Sequence, residues 1–238
     1  MVILIISIID LSVNNRYNTA VLTDTHVSHT NTGRESIMKK SEKTELTISK
    51  ILEAAMNEFG KNGYSGGTIN QICHSGINKG LLYHNFKGKD DLYLTCLKQS
   101  CEKLVHYLQQ EGRSENPERY LSSRMDFFHH YPNEARIFFE ALLSPPPHLS
   151  GEILLILSDF NALNEKMYNQ ALNPLVLRDG VTKDDALWYF HLMQLMLNGY
   201  FSSPAFQNTD FSEKVKTHEM MIPKLLDYML YGIAKGQK

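Results

Sequence analysis

The stretch that most constrains this chain runs from Thr68 to Phe86 and reads TINQICHSGINKGLLYHNF. Thr68 followed by Gln71 is typical of a capping box, in which the Thr hydroxyl accepts a hydrogen bond from the third backbone N–H and the Gln side chain reaches back. Gly76 then allows a tight turn, because glycine adopts left-handed backbone angles without a steric penalty. Asn78 can cap a second short helix. The pattern predicts a helix-turn-helix, whose second helix enters the major groove of DNA.

The sequence on both sides of this stretch resembles the amino-terminal DNA-binding domain of the tetracycline-repressor (TetR) family of bacterial regulators. The resemblance runs from Ile51 to Leu92, through ILEAAMNEFGKNGY, then Thr68 and Ile72, then GINKGLLYHNF and GKDDL. The spacing departs from the family at one point, because the chain has one residue fewer between Ile72 and the GINKG segment. One residue turns a helix by ~100°, so we expect the end of the first helix or the turn to be rebuilt there.

The resemblance implies contacts to DNA phosphates for Thr68, Tyr83 and Lys89. Backbone N–H groups at the start of a helix add to such contacts, since a helix N-terminus favours anions. For base contacts, Lys79 can donate to guanine O6 and N7, and Leu82 can touch a thymine methyl group. The alternative for each polar residue is an ordinary solvated helix face. The complete set expected at the DNA is Thr68, Asn78, Lys79, Gly80, Leu82, Tyr83, His84 and Lys89.

Hydrophobic periodicity in the rest of the chain is helical, and no segment shows the alternation of a β-strand. Pro223 is expected to kink or split the last helix. The predicted fold is all-α, with a three-helix helix-turn-helix domain over residues 38–91, whose core includes Leu81 and Phe86. A helical ligand-binding and dimerisation domain is expected over residues 92–238. The expected helices span 46–61, 89–110, 117–131, 133–143, 149–171, 182–200 and 211–233.

Residues 1–37 differ in character from the rest of the chain. They open with MVILIISIIDL, an apolar run too short to span a bilayer, which takes roughly 20 residues, and without the basic region and cleavage site of a signal peptide. The polar segment that follows has no sustained period and is expected to be disordered. Met38 then opens a basic arm, so residues 1–37 are either a disordered extension or belong to a start upstream of the natural one. The alternative is a hook for a membrane or a partner protein.

The net charge of −2 divides unevenly along the chain. Residues 38–100 carry nine Lys and Arg against six Asp and Glu, a balance of +3, whereas residues 101–238 carry thirteen against seventeen, a balance of −4. A basic front and an acidic rear suit a protein that reads phosphates with its first domain, although an excess this small also arises by chance. Cys73, Cys96 and Cys101 show no C-x-x-C spacing, which favours buried thiols over a disulfide framework or zinc site. We expect a cytoplasmic, nucleoid-associated protein.

The rear helices carry more aromatic and Met residues than a simple apolar stripe requires. Plain core is the better interpretation for any one of them, but together they could line a cavity for a small hydrophobic or aromatic ligand, as the resemblance also implies. The histidines show no ligand spacing, so neither a metal site nor a cofactor is expected. Motifs such as G-x-S-x-G and H-E-x-x-H do not occur, which argues against an enzyme. The expected pocket residues are Met125, Phe128, His129, Phe138, Met167, Trp188 and His191.

The segment LWYFHLMQLMLNGYF is apolar nearly all round, which indicates burial on more than one side. In the TetR family the last two helices form a four-helix bundle across a two-fold axis. Reading a palindromic operator also requires two recognition helices one helical turn apart, ~34 Å. The sequence therefore predicts a homodimeric, ligand-responsive regulator of double-stranded DNA, without a membrane partner, acting as a repressor that a small hydrophobic effector releases. The alternative is a DNA-binding regulator or architectural protein without an effector.

Overall fold

The structure, a computed structural model, describes residues 31–110 and 116–233, with side chains over residues 43–110 and 116–231. Regular structure in these ranges consists of ten α-helices and two short 3-10 turns, so the predicted all-α fold is confirmed. The helices are α1 (Asn31–Gly66), α2 (Ile69–His74), α3 (Lys79–Asn85), α4 (Lys89–Gln109), α5 (Pro117–His130), α6 (Pro132–Leu143), α7 (Ser150–Ile156), α8 (Ser158–Leu172), α9 (Lys183–Phe201) and α10 (Phe211–Ile233).

Helix α1 begins at Asn31, so the backbone of residues 31–37 is helical where the sequence predicted disorder. A helix adds residues to a turn that is already formed more readily than it starts a new one. The later residues of α1 therefore favour a helical backbone over residues 31–37. Residues 1–30, the rest of the predicted extension, lie outside the described residues. Near its other end α1 is interrupted at Gly63, whose φ of 68° lies in left-handed space. The helix predicted to end at residue 61 is therefore interrupted two residues later, at Gly63.

Helix α4 is central to the compact unit that runs from Thr44 to Lys238. It packs against α5, α6, α7 and α8. Its buried residues recur at intervals of three and four, and each fully buried leucine contributes roughly 1.5–3 kcal/mol. One hydrophobic core contains this stripe together with Phe59, Ile72 and Phe86 of the helix-turn-helix region. The buried stripe consists of Leu92, Tyr93, Cys96, Leu97, Cys101, Leu104 and Leu108.

One expectation about helix continuity is wrong, and of the kink or split expected at Pro223 the split is excluded. The helix predicted over 149–171 is broken at Leu157, a buried residue that lies between the end of α7 and the start of α8. There the Ser158 hydroxyl donates to the Leu155 carbonyl at 2.7 Å and competes with the helical hydrogen bonds. Helix α10, in contrast, runs unbroken through Pro223, so the predicted split does not occur. Packing on α5, α6 and α9 holds α10 across the missing backbone donor.

Cys96 and Cys101 are free and buried, as predicted, and Cys73 is half-buried. Burial raises the pKa of both buried thiols to about 12, so they stay protonated. Across the described ranges, no helix is long and apolar enough to cross a membrane. The same ranges bring together no group of three His, Cys, Asp or Glu side chains that could hold a metal ion.

Candidate nucleic-acid interface

Helix α2 is capped by Thr68, whose Oγ1 accepts a hydrogen bond from the Gln71 backbone N–H at 3.1 Å. The other half of the predicted capping box is not formed by Gln71, whose Oε1 lies 3.0 Å from His74 Nδ1. Glu58 of α1 takes that role, because the Thr68 backbone N–H donates to Glu58 Oε1 at 3.2 Å. The start of α2 is therefore fixed by its own cap and by a carboxylate from the preceding helix.

The turn from α2 into α3 is built from backbone hydrogen bonds. The N–H of Ser75 donates to the Ile72 carbonyl at 3.3 Å, and the N–H of Gly76 donates to the Cys73 carbonyl at 3.1 Å. Gly76 has a φ of 87° and so adopts the left-handed conformation predicted for it. Helix α2 ends at His74, so the shortened spacing after Ile72 falls at the C-terminal end of this helix.

Helix α3 is capped by Asn78, whose Oδ1 accepts hydrogen bonds from the N–H groups of Gly80 at 2.8 Å and Leu81 at 3.3 Å. The side-chain oxygen of Asn78 is thereby engaged in holding the start of α3. Lys79 donates from Nζ to Asn70 Oδ1 of α2 at 2.9 Å, and both side chains are exposed. This bond links the two helices of the motif at the surface that is expected to meet DNA.

The two adjacent leucines of α3 exchange the places that the sequence predicted. Leu82 is fully buried in a core with Phe86, Ile72 and Phe59, whereas Leu81 is 48% exposed. The reason is helical phase: Leu82 lies four residues before Phe86 and shares its inward face, while Leu81 is rotated from it by ~100°. The predicted base contact of Leu82 is therefore wrong, as is the assignment of Leu81 to the core. The assignment of Phe86 to the core is confirmed.

The outward face of α3 brings together Lys79, Gly80, Tyr83 and His84, all of them exposed. Lys79 and Tyr83 are four residues apart and lie one turn apart on the same side, as do Gly80 and His84. The face carries an ammonium, a phenol hydroxyl and an imidazole, groups that suit both phosphates and base edges. Their contact with DNA stays a prediction.

Lys89 stands apart from this face. It is the first residue of α4 and half-buried, and its Nζ lies 4.4 Å from the centre of the Tyr64 ring, a cation–π geometry. The ammonium group is thus directed at an aromatic ring of α1, which competes with the predicted phosphate contact. Thr68 remains exposed beside the start of α2. The phosphate roles of both residues stay predictions.

Tyr64, Asp90, Glu140 and His148 form a polar cluster that we call the Tyr64 junction. The Tyr64 backbone N–H donates to Glu140 Oε2 of α6 at 2.7 Å. Its hydroxyl donates to Asp90 Oδ1 of α4 at 2.5 Å and lies 3.1 Å from His148 Nε2. His148 Nε2 is also 3.3 Å from Asp90 Oδ2. The junction therefore ties the end of α1 to both α4 and α6.

The Tyr64 junction raises the pKa of two of its groups, Glu140 and Tyr64. Burial raises the pKa of Glu140, and the hydrogen bond from the Tyr64 N–H and the charges of Arg136 and Lys89 offset only part of this effect. Burial and the neighbouring Asp90 carboxylate raise the pKa of Tyr64 to about 12. The Tyr64 hydroxyl therefore stays protonated at neutral pH and remains the donor in its bond to Asp90.

A cavity of about 50 Å³ lies among the rear helices, lined by α5, α6, α8, α9 and α10. Its apolar lining residues include Phe160, Met167, Phe190 and Met193. Its polar lining residues, which we call the polar wall, include Arg124, Asn161, Asn164, Gln194, Asn198 and His218.

A buried hydrogen-bond network supports the polar wall. Arg124 of α5 donates to both carboxylate oxygens of Glu219 of α10, from Nε at 2.9 Å and from Nη2 at 2.8 Å. Its Nη1 donates to Asn164 Oδ1 at 3.1 Å, and the Tyr120 hydroxyl donates to the same oxygen at 2.6 Å. Burial alone would raise the pKa of Glu219, but Arg124 and His218 hold it below its ordinary value. The network thus joins α5, α8 and α10.

Only one of the predicted pocket residues, Met167, lines this cavity. Helical phase explains the difference for α9, because Trp188 and His191 face outward while Phe190 and Met193 face the cavity. Phe128 and Phe138 are buried but pack against each other in the main core, with ring centres 5.4 Å apart. The predicted pocket residues whose side chains are exposed are Met125, His129, Trp188 and His191.

Sequence reasoning missed the polar wall and the charges behind it. One signal was available, since Arg124 lies four residues after Tyr120 and three before Phe127, at a spacing that places it on the same helical face as these aromatic residues. A charged residue in such a position needs a partner, but the partner, Glu219, is 95 residues further along the chain.

The capped pair α2–α3 forms a helix-turn-helix ahead of a helical body. Residues 51–96 match the model of the tetR family of bacterial regulatory proteins. Over this domain the chain is similar to the TetR family of transcription regulators.

Two curated relatives are similar in sequence over part of their length. The HTH-type transcriptional regulator RutR of Escherichia coli K12 is 25% identical over 134 residues, which cover 52% of this chain and 63% of RutR. The HTH-type transcriptional activator FasR of Mycolicibacterium smegmatis is 26% identical over 110 residues, which cover 44% of this chain and 50% of FasR. The chain therefore spans about half to three fifths of the relatives that it matches.

Solved structures share the fold over a longer range. FadR from Bacillus subtilis, a transcriptional regulator crystallised with stearoyl-CoA, aligns with a TM-score of 0.56 at 16% identity, covering 78% of this chain and 99% of FadR. A TetR-family regulator from Chloroflexus aurantiacus aligns with a TM-score of 0.52 at 20% identity, covering 81% and 95%. At these identities the likeness concerns the fold.

Proposed function

We propose that the protein is a homodimeric transcriptional repressor, which binds a palindromic operator through α3 and is released when a small molecule occupies the cavity of its rear helices. The observation that carries the proposal is the outward face of α3. Lys79, Tyr83 and His84 project from a helix whose start is capped by Asn78 and whose inner side is anchored by Leu82. A short, rigid and polar helix face of this kind suits the major groove.

Each side chain of this face has a distinct expected task. Lys79 donates to the guanine edge, and its bond to Asn70 positions the ammonium group before DNA arrives. The Tyr83 hydroxyl donates to a phosphate, which positions the helix without reading sequence. The balance of +3 over residues 38–100 adds a weak attraction to any duplex.

Dimerisation is proposed through α9 and α10. Helix α9 exposes Trp188, which is 59% accessible, together with Leu195 and Met196, and α10 exposes Tyr228 and Tyr231. Neighbouring apolar side chains left in water are typical of a protein interface. A two-fold axis through this face would pair it with itself and set two copies of α3 about one helical turn apart.

Helix α6 offers a route from the cavity to DNA. Leu142 lines the cavity, and Glu140, two residues earlier on α6, accepts the hydrogen bond from the Tyr64 N–H. An effector that displaces Leu142 would also move Glu140 and, through Tyr64, the end of α1. The two α3 helices would then lose the spacing that the operator requires. The affinity for the operator would fall by as much as the effector prefers the shifted state over the DNA-binding state.

Selection of bound duplexes from a random pool tests this function. We expect the purified protein to enrich a palindrome, Tyr83→Phe to weaken binding to all duplexes alike, and Lys79→Ala to reduce discrimination at one base position by ~1–3 kcal/mol. The salt dependence of affinity should become shallower for Lys79→Ala if its ammonium also displaces counterions, and stay unchanged for Tyr83→Phe, because a neutral hydroxyl displaces none.

Tyr131→Phe is the matched control, because the Tyr131 ring packs against Tyr107 of α4 and Phe127 of α5 and belongs neither to α3 nor to the α9–α10 face. Its affinity for the selected palindrome should equal that of the unchanged protein. Enrichment of no sequence above a random competitor, or equal effects of Tyr83→Phe and Tyr131→Phe, would contradict the role given to α3.

A further inference from the structure

The polar wall of the cavity carries hydrogen-bonding groups that the protein does not use. Asn164 is buried and lines the cavity, and its Oδ1 accepts from Arg124 Nη1 and the Tyr120 hydroxyl. A guanidinium has only donors, so this contact fixes which end of the Asn164 amide faces Arg124. Asn164 Nδ2 therefore points away from Arg124, and the hydrogen bonds of Asn164 with the described side chains all go to its Oδ1.

Gln194 of α9 adds a second free amide. It is half-buried and lines the same cavity, and its side-chain amide forms no hydrogen bond with the residues that the structure describes. Its amide offers one acceptor oxygen and two donor hydrogens. Together, Asn164 and Gln194 present at least one N–H donor and one C=O acceptor to whatever fills the space.

The charged groups beside the cavity are already engaged with one another, because Arg124 pairs with Glu219 and His218 Nδ1 lies 3.2 Å from Glu219 Oε1. Arg124 and Glu219 pair through two hydrogen bonds of 2.9 and 2.8 Å, and both are almost completely buried. A bidentate pair of this kind leaves little positive field to offset the desolvation of an incoming anion. An uncharged ligand does not incur that cost.

The size of the cavity restricts the ligand further. A buried water needs roughly 10–15 Å³ of such space, so a volume of about 50 Å³ holds a group of only a few non-hydrogen atoms. Phe190 and Met193 also line the cavity and suit a short alkyl or ring body. As it stands, the cavity has no room for a long acyl chain.

We infer that the cavity binds a compact, uncharged molecule with an amide-type group, a C=O next to an N–H, at one end and an apolar body at the other. The carbonyl oxygen accepts from Asn164 Nδ2, and the ligand N–H donates to the oxygen of Gln194. This inference rests on the proposed ligand-responsive regulator and names the class of its effector. It replaces the purely hydrophobic ligand that the sequence predicted.

Three small probes of similar size separate the chemistries: propionamide, propionate and n-pentane. Propionamide and propionate are titrated into the full-length protein at millimolar concentration, and n-pentane up to its lower aqueous solubility. Propionamide should shift the side-chain amide NMR signals of Asn164 and Gln194, whereas the other two should leave them in place. Gln194→Leu should weaken propionamide binding about fivefold, the effect of losing roughly one hydrogen bond.

Gln170→Leu is the matched control, because Gln170 lies on α8 outside this cavity and its Oε1 is buried without a hydrogen-bond partner. This variant should bind propionamide like the unchanged protein, and the thermal unfolding of both variants should confirm that they fold. Stronger binding of propionate or pentane, equal weakening in both variants, or no shift with any probe would overturn the inference. Operator selection is measured in a separate experiment. If propionamide does not bind, the DNA-binding proposal is unaffected, and if no operator is selected, the ligand result is unaffected.

Discussion

Leu81 and Leu82 are identical neighbours with opposite environments, 48% exposed and fully buried. A helix of seven residues has room for a single inward stripe, and Leu82 occupies it because Phe86 follows four residues later. The sequence alone leaves this phase open, since either leucine can be paired with an apolar neighbour. What decides between them is the direction from which Phe59 and Ile72 approach, a tertiary contact.

Alanine substitutions at these two positions should therefore differ sharply. We expect Leu82→Ala to lower the free energy of unfolding by ~2–5 kcal/mol, because it leaves a cavity in the core. Leu81→Ala should stay within ~0.5 kcal/mol of the unchanged protein, as is usual for an exposed site. Urea unfolding measures both, and each variant serves as the control for the other. Equal losses of stability would mean that α3 has the opposite phase.

At the scale of elements, the end of α1 packs against the Glu140 side chain of α6. Gly63 adopts a φ of 68°, and a Cβ built on it would meet Glu140 Oε1 at 2.7 Å. The same carboxylate accepts from the next residue's N–H. The glycine thus provides both the backbone conformation and the room that let α6 hold the end of α1.

Gly63→Ala should consequently cost more than the same change at Gly76. Both glycines have positive φ, and an L-residue there costs roughly 1–2 kcal/mol. Nothing lies within 4 Å of a Cβ on Gly76, so Gly76→Ala carries the conformational cost alone. The additional loss of unfolding free energy in Gly63→Ala reports the displaced Glu140 contact. An equal loss in both variants would remove Glu140 from the coupling route.

Local sequence signals predicted most of the helix bounds. The features that they did not predict depend on contacts between residues far apart in the chain. Pro117, Pro132 and Gly180 mark breaks whose physics is contained in a few residues, so the bounds of α5, α6 and α9 fall within one or two positions of those predicted. The Thr68 cap was foreseen for the same reason. The polar wall depends instead on Arg124 meeting Glu219 across the fold, and no pattern of spacing encodes that pairing.

At the scale of the whole molecule, α9 serves two environments at once. Phe190, Met193 and Leu197 face the interior, while Trp188 and Leu195 face outward. This explains why its sequence is apolar nearly all round: one side packs in the protein, and the other is available to a second copy. The cavity and the proposed interface thus lie on opposite faces of α9, so in the proposed dimer a ligand that shifts α9 would also act on the spacing of the two subunits.

Leu195→Lys should separate the two copies. Across a two-fold axis each lysine would lie near its counterpart, so like charges and lost apolar burial should both weaken association, by about tenfold or more. Leu155→Lys is the matched control, because Leu155 on α7 is 65% exposed, against 47% for Leu195, but lies outside the α9–α10 face. Sedimentation velocity should show a monomer for Leu195→Lys and a dimer for Leu155→Lys. The first variant should also bind the full palindrome no better than a single half-site, because the two reading helices are then no longer held at one spacing. A dimer that survives Leu195→Lys with its preference for the palindrome intact would place the interface elsewhere.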